Sequence, residues 1–235
     1  MGIFLILYVV SLKNSLAFSF KLSLYLISIE PFSVLAYSNK MKSASFMLML
    51  FCVYTTVFCS PHSRPPPKEK AAMARYLVHK SDWCVIGTIS TMKGQEGAPF
   101  TNIVSMSDGP VDNSTGVPYF YVTDLDQSSV DIKSNNTVSI SMSDSETGYC
   151  EKLHLDPESP VCTRLTMTGK FVKVTDPDEV NFAEHALFSR HPVMKSWSTA
   201  HSFYPAKLQL DLIWLIDFYG GAAIIDPKEY YKAKL

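Results

Sequence analysis

The sequence predicts a mainly β domain with flanking helices (α+β), preceded by an apolar leader. Three observations carry this. Short stretches alternate apolar and polar residues with period two. Gly, Pro, Asn and Asp separate those stretches. The first 63 residues differ in composition from the rest. Short strands divided by turn signals fit a barrel or a sandwich.

The leader comes first. Met41-Lys42 opens a short positive start, and residues 46–54 form an apolar run. Small residues Cys59 and Ser60 then precede the segment 64–68, which reads Arg-Pro-Pro-Pro-Lys. This is the order of a secretory signal peptide, with cleavage expected near Cys59 or Ser60. Residues 1–40, interrupted by Lys13, Lys21 and Glu30, read as a gene-model extension or an extra apolar leader. The rival reading is an uncleaved anchor, because residues 43–61 carry no charge and are just long enough to span a bilayer. The expected organisation is therefore 1–40 extension, 41–60 signal peptide, 61–67 Pro-rich linker and 68–235 folded domain. That last length suits a single domain with its own core.

A helix is predicted over 68–80, where Ala72/Tyr76 and Met73/Leu77 share faces. Strands are predicted at 83–90, 100–107, 117–122, 137–143 and 165–171. In the fourth, Val138, Ile140 and Met142 alternate with Ser139, Ser141 and Ser143. The longest pattern places Leu208, Leu210, Leu212, Trp214 and Ile216 on one face. Its other face turns apolar at Ile213 and Leu215, which predicts both faces covered there, by a helix or a partner subunit. Asp176-Pro177 and Asp226-Pro227 each place an N-cap acid before a proline at the first helical position. The first of these helices buries Val180, Ala183 and Leu187 and ends before His191-Pro192.

Charge excludes one class of function. The net charge is −1, from 21 basic and 22 acidic residues, and the cations are not clustered. Direct nucleic-acid contact needs such a cluster. No nucleophile elbow, phosphate-binding loop or dinucleotide fingerprint occurs. His185, His191 and His201 lack tight metal-ligand spacing, so a structural or surface role is expected. Asp124 and Asp126 read as solvated acids near a strand end. Asn113 and Asn135 head glycosylation sequons in predicted loops. Cys150 and Cys162 bracket a loop with Pro157 and Pro160 and are expected to pair in an oxidising compartment. In the chain-entropy model such a link contributes on the order of 3 kcal/mol. Cys84, inside an apolar strand, is expected to be a buried, inert thiol.

Several segments together resemble one family. They are Ser107-Asp-Gly-Pro110, Val117-Pro-Tyr-Phe-Tyr121, Leu187-Phe-Ser-Arg-His-Pro192, Ala206-Lys-Leu208, Ile213-Trp214, Gly220-Gly221 and Glu229-Tyr-Tyr231. In this order they resemble the CREG family, the cellular repressors of adenoviral early-region-stimulated genes. The resemblance implies a split β-barrel of the FMN-binding, pyridoxine-phosphate-oxidase-like type. It also implies a secreted homodimeric glycoprotein with an endosomal and lysosomal pool, acting in growth control and differentiation. A mannose-6-phosphate-type sorting receptor is an implied partner. Familiar members carry sequons near the positions of Thr175 and Gln209, which this sequence lacks, so glycan-dependent sorting would rest on Asn113 or Asn135.

The fold raises the question of flavin. Flavoenzymes of this fold hold the flavin phosphate with basic and hydroxyl side chains of the early strands. Here no Lys or Arg occurs between Lys93 and Lys133, whereas Glu96, Asp108, Asp112, Asp124, Asp126 and Asp131 do. No FMN, no catalytic residue and no metal are therefore expected, and no membrane anchor once the leader is removed. The alternatives are an FMN-dependent oxidoreductase and a nuclear transcriptional repressor.

Overall fold

The computed structural model describes residues 63–235; the expected leader lies outside them. Helix α1 (Lys70–Lys80) leads into β1 (Trp83–Ile89), β2 (Pro99–Ser105) and β3 (Tyr119–Val122). Helix α2 (Gln127–Ser134), β4 (Thr137–Ser143), the single-turn α3 (Tyr149–Lys152) and β5 (Arg164–Lys173) follow. Helix α4 (Pro177–Arg190), two 3₁₀ turns, β6 (Tyr204–Ile216), β7 (Ala223–Ile225) and α5 (Pro227–Lys232) complete the chain. Among the described residues no helix is long and apolar enough to cross a membrane.

All pairings are antiparallel, in the order β2-β1-β4-β5-β6-β3, with β7 also on β6. The sheet curls so that its two end strands, β2 and β3, approach each other, and just beyond β2 an isolated antiparallel bridge joins Ser107 to Tyr119. The result is a split half-barrel with flanking helices, as the resemblance implied. Its inner face buries Ile86, Ile140, Met142, Met167, Leu208 and Ile213. Met73 and Leu77 of α1 and Tyr230 of α5 plug the same core.

The proline-led helices form as read. The Asp176 carboxylate accepts the Glu179 N–H at 2.9 Å, and Asp226 accepts that of Lys228 at 2.6 Å. Helix α2, the single-turn α3, strand β7 and the two 3₁₀ turns were not predicted. Helix α2 is capped by Asp126, which accepts the Ser128 N–H at 2.8 Å. Strand β7 has only three residues, too few for a period to show.

The reading of residues 208–216 needs a correction. Leu212, Trp214 and Ile216 do not continue the face of Leu208. The register shifts between Thr168 and Gly169, with Thr168 opposite Leu212 and Gly169 opposite Leu210. Asp211 is the extra residue of a β-bulge, and the strand changes phase there. Ile213 and Leu215 become the inward residues. Gly169 permits this close approach, since a Cβ on it would meet the Gln209 carbonyl oxygen at 1.9 Å.

The second face differs from the first. Helix α4 packs Ala183 and Leu187 against Tyr119 of β3 and Val174, and Lys207 near the start of β6 bonds Glu179. Beyond the bulge the outer face carries Leu212, Trp214 and Ile224 at one side and Val85 and Ile103 at the other. Ser139, Ser141, Thr166 and Thr168 lie between them. Ile103 is 66 % exposed and Ile224 65 %.

Candidate functional site

A cavity of about 320 Å³ lies in the split, between β2 and β3. Its floor comes from the core residues Ile86, Phe120 and Phe171. Its aromatic wall is Tyr121, Trp197 and Phe203. Tyr121 stacks on Phe203 with ring centres 5.3 Å apart, and Trp197 lies 4.7 Å from Phe203. Phe188 of α4 sets its edge against Tyr121 at 5.2 Å. These contacts join β3 to the turns after α4, so residues distant in sequence make one surface.

The polar wall comes from the start of α2. Ser105, Thr123, Ser128 and Ser129 bring hydroxyls, and Asp126 brings the only charge in the lining. Asp126 is partly buried. Its Oδ1 takes the Ser128 N–H, and Asn102 Nδ2 donates to its Oδ2 at 3.1 Å. A carboxylate thus occupies the helix N-terminus, where backbone N–H groups would otherwise attract an anion. Lys133, the one lysine of α2, is held at the surface by Asp124 at 2.8 Å. Asp124 is exposed, as the sequence suggested, whereas Asp126 belongs to the cavity.

Buried Asp131 fixes this corner from behind. Burial opposes its ionisation, but hydrogen bonds outweigh it and hold the carboxyl below its usual range. The donors are the Thr91 N–H and hydroxyl, the Thr88 hydroxyl and Gln127 Nε2.

The sequons lie elsewhere. Asn113 is exposed at the tip of the loop after β2. That loop is pinned from three sides. His79 of α1 meets Asp108 Oδ1 at 2.7 Å, Arg190 donates Nε–H to the Gly109 carbonyl at 3.1 Å, and Tyr230 donates its hydroxyl to the Gly116 carbonyl at 2.8 Å. Gly109 has φ 144° and lies so close to the Asn113 carbonyl that a Cβ would overlap it. Asn135 is exposed at the end of α2 and accepts the Thr137 N–H at 3.0 Å in an Asx turn.

Cys150 and Cys162 form a disulfide, with Cα atoms 5.5 Å apart, tying α3 to the start of β5. Cys84 is free and buried, and burial pushes its thiol far above the ordinary range. His191 bonds the Met106 carbonyl at 3.0 Å, while His185 and His201 are exposed. Among the described residues no group of three His, Cys, Asp or Glu side chains is placed to hold a metal ion. Sequence reasoning missed the cavity because Trp197 and Phe203 lie far from Asp126 along the chain. Only the capping acid gave a local signal.

A family model described as CREG, beta-barrel, matches residues 65–232. Protein CREG1 of Gallus gallus is 40 % identical over 190 residues, covering 80 % of this chain and 98 % of that protein. Protein CREG2 of Homo sapiens is 44 % identical over 172 residues, covering 73 % of this chain and 59 % of that protein. Among solved structures, the heme binding protein from Mycobacterium smegmatis superposes with a TM-score of 0.56 at 18 % identity, covering 73 % of this chain and 62 % of its own. Campylobacter jejuni ChuZ gives 0.51 at 13 % identity, covering 83 % and 70 %. These two likenesses are in fold alone. The family match and the identity to both curated relatives place the chain in the CREG family.

Proposed function

We propose that this protein is a non-catalytic glycoprotein of the secretory pathway, with extracellular and lysosomal pools, that acts through protein partners in growth and differentiation. The observation that carries the reading is the lining of the cavity in the split. It presents hydroxyls and one carboxylate, with no lysine or arginine. A flavin phosphate brings close to two negative charges and needs cationic donors. Asp126 would instead repel it, so the residues present do not fit FMN.

Other features support the glycoprotein and partner parts. Asn113 and Asn135 are both exposed. The disulfide suits an oxidising compartment. The outer face of β6 and β7 carries Leu212 and Ile224 into solvent, which suits a second copy of this chain. A mannose-6-phosphate-type receptor would engage glycans on Asn113 or Asn135.

The test uses the full chain expressed in animal cells. Protein is collected from the medium, its shift after glycosidase digestion is measured, and the purified protein is titrated with FMN by flavin fluorescence. The reading expects secreted protein, a mass shift lost in the Asn113→Gln/Asn135→Gln variant, and no FMN binding at tens of micromolar, about 6 kcal/mol. Stoichiometric FMN binding would overturn the non-catalytic part. Unglycosylated protein retained in nuclei would overturn the secretory part.

A further inference from the structure

The cavity that does not suit a phosphate has a definite chemistry of its own. Its aromatic wall sets Tyr121, Trp197 and Phe203 in mutual contact, with Tyr121 and Trp197 centres 6.1 Å apart and their planes 29° from parallel. Aromatic faces attract cations, Trp most strongly. The one charged group in the lining is a carboxylate. A carboxylate offers about four acceptor positions. Asp126 Oδ1 accepts from the Ser128 N–H and, at 3.4 Å, from Asn102 Nδ2, while Oδ2 accepts from Asn102 Nδ2 alone and keeps acceptor capacity. The volume of about 320 Å³ is at the small end of small-molecule sites.

We propose that this cavity binds a small organic ammonium with an apolar or aromatic tail. The ammonium sits against Asp126, and the tail lies among Tyr121, Trp197 and Phe203. An organic anion is repelled by the same carboxylate. A neutral molecule of the same shape keeps the tail contacts and loses the ion pair. The site does not depend on self-association or on a receptor.

Three probes with one tail separate these contributions: 4-phenylbutylamine, 4-phenylbutanol and 4-phenylbutyrate. Each is titrated calorimetrically into protein expressed from the full chain. The amine is expected to bind about tenfold more tightly than the alcohol, and the carboxylate more weakly than both. Asp126→Asn keeps an equally good helix cap. It should weaken the amine about tenfold and leave the alcohol unchanged. Trp197→Ala should weaken amine and alcohol together. Equal affinity for amine and alcohol, preference for the carboxylate, or an Asp126→Asn variant that still prefers the amine would overturn the proposal. So would the absence of binding by all three probes up to about 1 mM, roughly 4 kcal/mol.

Discussion

The two faces of the sheet are built from the same alternation and end in opposite conditions. The inner face packs Ile86, Ile140, Met167 and Leu208 to near-complete burial. The outer face beyond the bulge leaves Leu212 42 % and Ile224 65 % exposed, with a strip of Ser and Thr between them and Ile103. Local alternation therefore states that a strand has two kinds of face. It does not state which apolar face is core and which is left for another surface. Hydroxyls of Ser139, Ser141, Thr166 and Thr168 form a polar strip across the outer face, between its two apolar groups. The inner face is closed by α1, α2 and α5.

The largest expected effect tests what keeps the faces apart. Gly169→Ala should destabilise the protein by about 3 kcal/mol or more in chemical denaturation, because the added methyl overlaps the Gln209 carbonyl and drives the bulge out of register. A change within about 0.5 kcal/mol would mean that the phase of β6 does not depend on this contact. A second experiment addresses the outer face. Leu212→Asp with Ile224→Asp should leave the denaturation midpoint nearly unchanged. In sedimentation equilibrium it should weaken self-association about 100-fold, roughly 2.7 kcal/mol. A wild-type chain that stays monomeric would remove the homodimer from the proposed function.

The smallest effect concerns the rim of the inner face. Glu146 accepts the Ser143 N–H at 3.1 Å, and burial pushes its carboxyl up to about 7. The fold thus prefers the protonated acid. Its contribution is fully present below the unfolded value of 4.5 and is lost as pH rises through about 7. Glu146→Gln should match the parent in stability at about pH 4 and exceed it by about 1 kcal/mol at about pH 8, a figure reduced for partial exposure. Equal stabilities at both pH values would show that Glu146 stays solvated in the folded protein.

Much of the fold was legible because its signals are local. Val138, Ile140 and Met142 alternate with serines, and the structure buries the first set. The acids before Pro177 and Pro227 cap their helices because a carboxylate two or three residues from an open N–H needs no tertiary help. The candidate site was legible only in part. The lack of lysine and arginine along β2 and β3 could be read in advance, and the cavity lining reflects it. The aromatic wall could not, since Tyr121 meets Trp197 and Phe203 only after α4 has crossed the sheet. Asp108 and Arg190 were likewise visible as parts of separate segments. Their meeting beside His79 pins the Asn113 loop, and it required α1 and α4 to converge.

The sequence by itself determined the strand alternation, the capped helices, the family and the absence of cations along the early strands. These depend on residue type and on spacings of a few positions. The tertiary structure decided which face of β6 became core, where the cavity opened and which acid faced into it. Those outcomes rest on contacts between distant strands, above all the passage of the Gln209 carbonyl over Gly169. A period of two carries no record of its own phase once a bulge has inserted one residue.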